Sequence, residues 1–327
     1  MYSVCSVGTS YKIGVDGGGS KTELILVDSA GTIVARHTAP GCNPSQIGPE
    51  SARAILNAAL TALLAQSQIS NLKSGISASL FCMAGHRAFW RETADELAGF
   101  GRITTTDDSF PVLELATDGA PGLVLHAGTG SFVAARAPDG TIHYTGGLGW
   151  KLGDPGSGYD LGRRAIAAAM LELQTHPDVL SPLAAALCAH TGLRDYPAHS
   201  RFFYNDPTAN ARITAFAPRV LELAAQDCAP ARLVLTDSLG DLARLADGVI
   251  HRVFPAGLAA GPAGPEPGRT GHTPSTPVPC GISGRLLNSP PAAAVLRALA
   301  GKLNWPVALR FIDTAPIEGV RRLLVRM

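Results

Sequence analysis

The sequence predicts an α/β protein made of two similar lobes. The chain has 327 residues, which is more than one hydrophobic core usually holds, and 46% of them are hydrophobic. A strand, a glycine-rich turn, a second strand, a second turn and a third strand follow Lys12, and the same order returns after Leu123. Gly31-Thr32-Ile33 and Gly140-Thr141-Ile142 occupy matching places in these two units. The recurrence indicates an internal duplication, since two copies are too few for a solenoid.

The elements of the first lobe follow from the spacing of apolar residues. Short runs of β-forming residues between turn residues predict strands, and apolar residues at a period near 3.6 predict helices. The predicted strands are 12–16, 23–28, 32–37, 76–83 and 102–106, and the predicted helices are 50–64 and 88–98. We assign residues 1–122 to this lobe.

The second lobe, residues 123–315, is assigned in the same way. Its predicted strands are 123–127, 132–137, 141–144, 278–282 and 307–312, and its predicted helices are 161–174, 182–190, 209–225, 229–253 and 291–302. Residues 255–279 are rich in Pro, Gly and Thr without periodicity, which predicts a surface loop. We expect a last helix, 317–325 within residues 316–327, to pack back on the first lobe.

Composition excludes several functional classes. The net charge is +1 without a long charged run, so nothing indicates binding to nucleic acid or to a membrane surface. The apolar stretches are too short to span a bilayer, and the first residues lack a signal-peptide pattern, so we expect a cytoplasmic protein. The six cysteines are scattered without a CxxC pair, which argues against a zinc or iron–sulfur centre.

A glycine-rich turn follows the first strand. It consists of Asp16, Gly17, Gly18, Gly19, Ser20, Lys21 and Thr22. A Walker A loop needs Lys directly after the last glycine, and a Rossmann turn leads into a helix, whereas this turn leads into a strand. Two interpretations of the turn remain, a phosphate-binding hairpin and an ordinary tight hairpin. In a phosphate-binding hairpin, Asp16 could orient Mg²⁺ through water.

The second unit carries its own turn at the matching place. It consists of Gly128, Thr129, Gly130 and Ser131. Two such turns in one duplicated chain favour the interpretation that both bind one polyphosphate.

Asp107 and Asp108 end a predicted strand and precede a predicted helix. A carboxylate at this place can accept the proton of a hydroxyl group during phosphoryl transfer, or it can cap the helix. For an isolated aspartate the capping role is the more common one, so both roles stay open for Asp108 at this point, and Asp107 is interpreted as a cap or helper. Asn43 fits either a ligand contact or an Asx turn, and Asp154 fits either a pocket or the start of a helix.

Eight segments in chain order carry a family resemblance. They are 13–22, 41–44, 83–85, 106–108, 127–131, 146–158, 281–284 and 318–320. With them the chain resembles the actin-like ATPase and sugar kinase superfamily. Within it the chain is similar to the BadF/BadG/BcrA/BcrD ATPase family, above all to its N-acetylglucosamine kinase and glucosamine kinase members.

The resemblance implies a two-lobed fold of duplicated ribonuclease H-like lobes with a cleft between them. It also implies ATP and Mg²⁺ as cofactors and phosphorylation of N-acetyl-D-glucosamine at its 6-hydroxyl. Glucosamine is the first alternative acceptor. An activating ATPase for a CoA-ester reductase is a second alternative, although the scattered cysteines argue against it, and a catalytically idle sugar sensor is a third. A homodimer is one assembly that the resemblance allows.

The resemblance also implies roles for single residues. The turns at 16–22 and 128–131 bind ATP phosphates, and Gly281, Ser283 and Gly284 form the turn on the adenosine side. Asp108 is the catalytic carboxylate, and the sugar is held by Asn43, Asp108, Gly147 and Asp154. Leu148, Phe132 and Pro155 depart from the family pattern beside the expected acceptor pocket, so the identity of the sugar stays open.

Overall fold

The computed structural model describes residues 10–67, 69, 72–255, 258 and 276–327. The chain divides into two compact units, the first made of residues 1–118 with 314–327 and the second of residues 119–313. Each unit contains one five-stranded mixed sheet with helices against it. In the part of the chain that the model describes, no helix is both long and apolar enough to cross a bilayer.

The first unit begins with a three-stranded meander. Its strands are β1 (Tyr11–Gly17), β2 (Lys21–Val27), β3 (Ile33–Pro40), β4 (Ile76–Met83) and β5 (Arg102–Asp107). Its helices before the chain leaves the unit are α1 (Pro44–Ile47), α2 (Pro49–Ser67), α3 (Leu72–Gly75), α4 (Arg87–Asp95) and α5 (Ser109–Thr117). The strand order is β3-β2-β1-β4-β5, with β1, β4 and β5 parallel. The carboxyl ends of these three strands therefore lie side by side at one edge of the sheet.

The second unit has the same construction. Its strands are β6 (Gly122–Ala127), β7 (Ser131–Arg136), β8 (Ile142–Gly146), β9 (Val278–Ser283) and β10 (Val307–Ile312). Its helices are α6 (Gly158–Thr175), α7 (Pro182–Thr191), α8 (Tyr196–Asn205), α9 (Ala209–Ala225), α10 (Ala229–Val253) and α11 (Pro290–Lys302). The strand order is β10-β9-β6-β7-β8, which is the order of the first sheet when the strands are counted within the unit. The shared order confirms the predicted duplication.

The last helix, α12 (Pro316–Arg326), returns to the first unit and covers one face of its sheet. Its buried residues Ile317, Val320 and Leu324 form one apolar cluster with residues of β2 and β4. A Cβ atom on Gly14 of β1 would lie 2.6 Å from Val320 Cγ1. The glycine therefore lets the helix approach the sheet closely. The other face of the sheet packs against α2.

The predicted elements exist, and their ends differ from the observed ones by at most three residues. The prediction missed α8, in which only His199 is fully buried and the other side chains are half-buried or exposed, so the apolar period is weak. It also missed α1 and α3, which are single turns of four residues. Most of the predicted loop at 255–279 lies outside the described residues, although Leu258 and Thr276 form an antiparallel bridge.

Candidate functional site

The glycine turn of the first unit is a hairpin between β1 and β2. Gly18 N–H donates to the Lys21 carbonyl oxygen at 2.9 Å, which closes the turn. The chain after β3 packs against it, since Cys42 N–H donates to Gly18 O at 3.1 Å. The chain after β4 does the same, with Ala84 N–H donating to Gly17 O at 2.7 Å. Three separate motif segments therefore meet at the carboxyl edge of this sheet.

The polar side chains of this turn have different surroundings. The Thr22 side chain is buried, and its hydroxyl donates to Pro40 O at 2.9 Å, so it supports the turn from within. Lys21 is largely exposed and forms an ion pair with Glu23. Ser20 is exposed in the turn, so its side chain is accessible to a ligand.

Asp16 lies at the end of β1, opposite Glu23 on β2 and beside Cys82 on β4. Burial, together with the charges of Asp108 and Glu23, raises the pKa of Asp16 to about 7, although the charge of Lys21 acts in the opposite direction. Three carboxylates thus lie near one another with a single lysine. The local charge favours a cation beside Asp16.

The donor set fits Mg²⁺ better than a metal held by protein ligands alone. Mg²⁺ is usually held by one or two carboxylates, together with water and substrate phosphates. Among the residues that the model describes, no group of three or more His, Cys, Asp or Glu side chains could hold a metal ion. Asp16, with Glu23 and Asp108 near it, fits that arrangement.

Asp107 and Asp108 have separate surroundings at the start of α5. Asp107 Oδ1 accepts from Ser109 N–H at 3.1 Å and from the Ser109 hydroxyl, and Arg87 forms an ion pair with Asp107 Oδ2. Asp108 holds the N-cap position, yet its side chain makes no capping hydrogen bond. Asp107 therefore stabilises the helix start, which leaves the capping alternative for Asp108 without support.

Asn43 caps the short helix α1. Its Oδ1 accepts from Ser45 N–H at 3.0 Å, as an Asx turn requires. Gly85 has φ +98°, and a Cβ atom there would lie 2.8 Å from Asn43 Oδ1. The chain after β4 therefore lies directly against Asn43. Because Oδ1 is used for capping, the amide nitrogen is the atom that can serve a ligand.

The turn of the second unit is held by the loop at 146–158. Gly128 N–H donates to Gly130 O at 2.8 Å, and Gly158 N–H donates to Gly128 O at 2.9 Å. Ser131 O accepts from Gly147 N–H at 2.9 Å. The Ser131 hydroxyl donates to Pro155 O at 2.6 Å, so Pro155 contributes its carbonyl group here. The turn and the loop form one hydrogen-bonded assembly.

Asp154 joins the same two segments through its carboxylate. It is buried, and it accepts from Gly149 N–H at 3.0 Å as well as from the backbone of Leu148 and Ser131. A Cβ atom on Gly130 would lie 2.7 Å from Asp154 Oδ2, so a side chain at that point would require the carboxylate to move. Burial raises the pKa of Asp154, against the effect of these hydrogen bonds.

The segment at 281–284 lies beside the β6 strand end. Gly281 and Ser283 belong to β9, so the predicted turn is wrong for these two residues, and only Gly284 lies beyond the strand. Gly284 has φ +101°, and a Cβ atom there would overlap the carbonyl group of Ala127. His126 Nδ1 lies 3.2 Å from Ser283 Oγ, and burial lowers the pKa of His126 to about 4. This histidine is therefore neutral at physiological pH.

Two of the residues that depart from the family pattern differ in exposure. Phe132 is buried and stacks between His126 and Tyr144, with ring centroids 5.0 and 5.3 Å away. Leu148 is 62% exposed on the loop. Phe132 therefore supports the turn, whereas Leu148 lies on the surface of the loop.

The sequence reasoning missed two carboxylates. Glu23 lies directly opposite Asp16 in the hairpin, and its position relative to the turn was the signal that could have revealed it. Asp160 in the first turn of α6 is buried and accepts from Gly156 N–H, Ser238 Oγ and both Arg163 and Arg164. Gly156, Arg163 and Arg164 lie within four residues of Asp160, so local spacing could have indicated these contacts, whereas Ser238 lies 78 positions away and only the fold brings it close.

Residues 13–255 match the sequence profile of the BadF/BadG/BcrA/BcrD ATPase family, and the chain belongs to this family. It is 30% identical over 162 residues to N-acetyl-D-glucosamine kinase of Dictyostelium discoideum, which covers 46% of the chain and 51% of that relative. It is 27% identical over 165 residues to N-acetylmuramic acid/N-acetylglucosamine kinase of Clostridium acetobutylicum, which covers 49% and 53%. The chain thus spans about half the length of the curated relatives it matches.

Solved structures show the same fold. The inferred N-acetylglucosamine kinase of Chromobacterium violaceum superposes with a TM-score of 0.74 at 25% identity, covering 97% of this chain and 99% of that one. A ROK family glucokinase from Streptomyces griseus, crystallised with glucose and AMPPNP, gives a TM-score of 0.54 at 14% identity over 96% and 97%. These similarities confirm the predicted two-lobed α/β fold of the sugar kinase type.

Proposed function

We propose that the protein is an ATP-dependent amino-sugar kinase that transfers the γ-phosphoryl group of ATP to the 6-hydroxyl of N-acetyl-D-glucosamine. The observation that carries the proposal is the convergence of Asp16, Asp108 and the glycine turn at one edge of the first sheet. Membership of the ATPase family and the kinase names of the relatives support it.

The two glycine turns are proposed to bind the phosphates of ATP. In the first unit the backbone N–H groups of the β1–β2 turn and the Ser20 hydroxyl are the donors. In the second unit the turn at 128–131 is held in place by Asp154 and Pro155. Gly284 allows the chain to pass close to Ala127 beside this turn, where the adenosine side is proposed to bind. Backbone donors of this kind fix an anion without the entropy cost of ordering long side chains.

Asp16 is the residue proposed to hold Mg²⁺ through water. When bound, the metal would neutralise charge on the transferred phosphoryl group. Its charge would also lower the pKa of Asp16, because an adjacent cation favours the ionised carboxylate. The carboxylate-rich surroundings of Asp16 thus fit the proposed role.

Asp108 is proposed to accept the proton of the sugar hydroxyl. It stands one residue beyond β5, at the start of α5, so rigid elements on both sides fix its position. Asp107 and Arg87 hold the helix start, so capping does not require the Asp108 carboxylate. The Asn43 amide nitrogen, Gly147 and Asp154 are proposed to hold the sugar.

Release of ADP by the purified protein tests the function directly. The acceptors are N-acetylglucosamine, glucosamine, N-acetylmannosamine and glucose, with a reaction lacking sugar as the control. We expect ADP release that depends on the acetylated amino sugar and on Mg²⁺. Preference for glucosamine supports the first alternative, and ADP release without any sugar supports an activating ATPase. The absence of ADP release with every acceptor contradicts the proposal.

The activating ATPase is the weaker candidate. The described cysteines at 42, 82, 188, 228 and 280 are all free thiols, and none belongs to a candidate metal cluster in the described ranges. Burial raises the pKa of the Cys82 and Cys280 thiols, which disfavours the thiolate that a cluster ligand needs. A cytoplasmic location and a homodimer remain predictions from the sequence.

A further inference from the structure

The buried carboxylate of Asp160 has no part in the proposed chemistry, yet it accepts hydrogen bonds from three segments of the second unit. Its Oδ2 accepts from Gly156 N–H at 3.3 Å and from the Ser238 hydroxyl at 2.7 Å. Arg164 Nε lies 2.9 Å from both of its oxygens, and Arg163 donates to Oδ1 at 3.0 Å. A carboxylate with this many donors fixes the relative positions of the groups that bind it.

Asp160 keeps its charge despite its burial. Burial raises its pKa, but the hydrogen bond from Ser238, together with the hydrogen bond and the charge of Arg164, outweighs that effect, so the pKa lies below its ordinary value. Arg164 also pairs with Asp241 of α10. The carboxylate is therefore ionised at physiological pH, and both of its oxygens are acceptors.

The four residues 155–158, called here the supporting loop, hold the second glycine turn at both of its ends. Pro155 O accepts from the hydroxyl of Ser131, the last residue of the turn, at 2.6 Å. Gly158 N–H donates to the carbonyl oxygen of Gly128, the first residue of the turn, at 2.9 Å. The conformation of the turn therefore depends on the conformation of the supporting loop.

The two inner residues of the supporting loop contact Asp160. Gly156 N–H donates to its carboxylate, and Ser157 Oγ accepts from Asp160 N–H at 3.1 Å as the N-cap of α6. Gly156 has φ +78°, and a Cβ atom there would lie 2.8 Å from Leu242 Cδ2, so the loop packs closely against α10. Ser238 lies one turn before Leu242 on that helix. Asp160 therefore ties the middle of the supporting loop to α10.

We propose that Asp160 is a positioning residue, which holds the supporting loop in the conformation that fixes the second glycine turn for nucleotide binding. The inference rests on the proposed function, in which this turn binds phosphates of ATP. Asp160 acts through Gly156 and the supporting loop, and not through contact with the nucleotide. Its effect on affinity arises because a turn that is already ordered does not lose conformational entropy when the nucleotide binds.

Asp160→Asn tests the proposal, because it keeps the size of the side chain. An amide has one acceptor oxygen, and its NH₂ group cannot accept from Gly156, Ser238 or the arginines. We expect the Kd for AMPPNP with Mg²⁺, measured by calorimetric titration, to rise about 10-fold. KM for ATP should rise in parallel while kcat stays within about 2-fold, as the loss of uniform binding requires.

Amide hydrogen exchange of the nucleotide-free protein reports on the turn itself. Peptides that contain residues 128–131 should exchange about 10-fold faster in Asp160→Asn than in the wild type, because release of the supporting loop makes local opening easier. Peptides from α2 in the first unit should exchange at the wild-type rate.

Glu172→Gln is the matched control on the same helix. Glu172 lies near the other end of α6, and its carboxylate also accepts from a backbone N–H and a hydroxyl, both of Ser181. The control should lower the thermal midpoint, yet it should keep the wild-type nucleotide affinity and the wild-type exchange at the turn. The proposal is overturned if Asp160→Asn leaves the affinity or the exchange unchanged, or if Glu172→Gln weakens binding as much.

Ser238→Ala decides the question if Asp160→Asn does not fold. It removes one hydrogen bond to the Asp160 carboxylate and leaves the supporting loop and the turn unmutated. We expect a change in the same direction, with a Kd for AMPPNP about 3-fold above that of the wild type. Wild-type affinity together with wild-type exchange at the turn overturns the proposal in this case.

Failure of the positioning role and failure of the proposed function give different results. Sugar-dependent ADP release by the wild type, with equal nucleotide affinity in Asp160→Asn, overturns the positioning role and leaves the kinase proposal standing. Faster exchange at the turn and weaker AMPPNP binding in Asp160→Asn, without ADP release from any sugar, support the positioning role and contradict the kinase proposal. A wild-type protein that does not bind AMPPNP contradicts both.

Discussion

Asp108 is the charged neighbour that, after burial itself, contributes most to raising the pKa of Asp16 to about 7. The two residues are more than ninety positions apart in the sequence. Parallel pairing brings them together, since Asp16 is paired with Cys82 and Cys82 with Thr106, two residues before Asp108. The sheet therefore places two carboxylates of different predicted role at one edge, with β4 between their strands.

Asp16 should make the stability of the protein depend on pH. An acid whose folded pKa is raised binds its proton more tightly in the folded state, so stability falls as pH rises from about 4 to about 7. Asp16→Asn removes this loss. In urea denaturation with a chelator and no Mg²⁺, the stability gain of the variant should be on the order of 2 kcal/mol larger at pH 8 than at pH 5.

Asp139→Asn is the control for this pH dependence. Asp139 is exposed, and backbone and side-chain hydrogen bonds from Thr141 lower its pKa, so its replacement should bring no gain at pH 8. A destabilised Asp16→Asn protein at pH 8, or a gain that is equal at both pH values, contradicts the pKa assigned to Asp16.

Asp108→Asn should lower kcat by about 10²–10⁴ if the carboxylate accepts the proton of the sugar hydroxyl. The fold should be retained, because the Asp108 side chain makes no capping hydrogen bond. Steady-state ADP release with the preferred sugar measures the effect, and near-full turnover contradicts the assignment.

Asp107→Asn serves as the matched variant at the neighbouring position. Asparagine keeps an oxygen that can accept from Ser109 but loses the charge that pairs with the largely exposed Arg87, so the replacement should cost about 0.5 kcal/mol of stability or less. Its kcat should fall far less than that of Asp108→Asn. Loss of activity of the same size in both variants would indicate that the helix start, and not the Asp108 carboxylate, limits the reaction.

Much of the architecture could be predicted because the information is local. Strands β4 and β10 and helices α9 and α10 agree with their predicted limits, since apolar spacing and turn residues define them. The two glycine turns could also be predicted, because their residues are adjacent in the sequence. The repeated order of strand and turn then indicated the duplication that the two sheets share.

The features that could not be predicted depend on contacts between distant segments of the chain. Thr22 has the hydroxyl of a candidate phosphate ligand, yet the fold buries it against Pro40. Gly281 is a residue type typical of turns, yet parallel pairing of β9 with β6 and β10 places it inside a strand. Asp160 has local partners before and within α6, yet its contact with Ser238 of α10 depends on the fold, because the two residues are 78 positions apart. Such roles follow from tertiary packing and not from residue spacing.

Gly284→Ala should destabilise the protein by about 2–4 kcal/mol. The residue has φ +101°, which side chains rarely adopt, and its Cβ atom would overlap the Ala127 carbonyl group. Gly248→Ala is the contrasting change, because it lies in α10 with open space around its Cβ position. It should stabilise the protein by about 0.5–1 kcal/mol. Chemical denaturation compares them, and equal effects contradict the close approach at Gly284.

Asn43→Asp should separate sugar binding from capping. Aspartate caps a helix as well as asparagine does, so α1 and the stability of the fold should be preserved. The variant lacks the amide donor, so KM for the sugar should rise about 10-fold or more while KM for ATP stays within about 2-fold. An unchanged KM for the sugar would restrict Asn43 to its capping role.

Asp154→Asn should affect the nucleotide as well as the sugar. The carboxylate accepts backbone hydrogen bonds from Gly149, Leu148 and Ser131, so it joins the loop at 146–158 to the turn at 128–131. An amide offers one acceptor oxygen and turns its NH₂ group toward donors, which breaks part of this connection. We expect KM for both ATP and the sugar to rise, each by about 10-fold, as charge-assisted hydrogen bonds are lost. A rise confined to the sugar would mean that Asp154 acts as a ligand alone, whereas a rise in both identifies it as the link between the two segments.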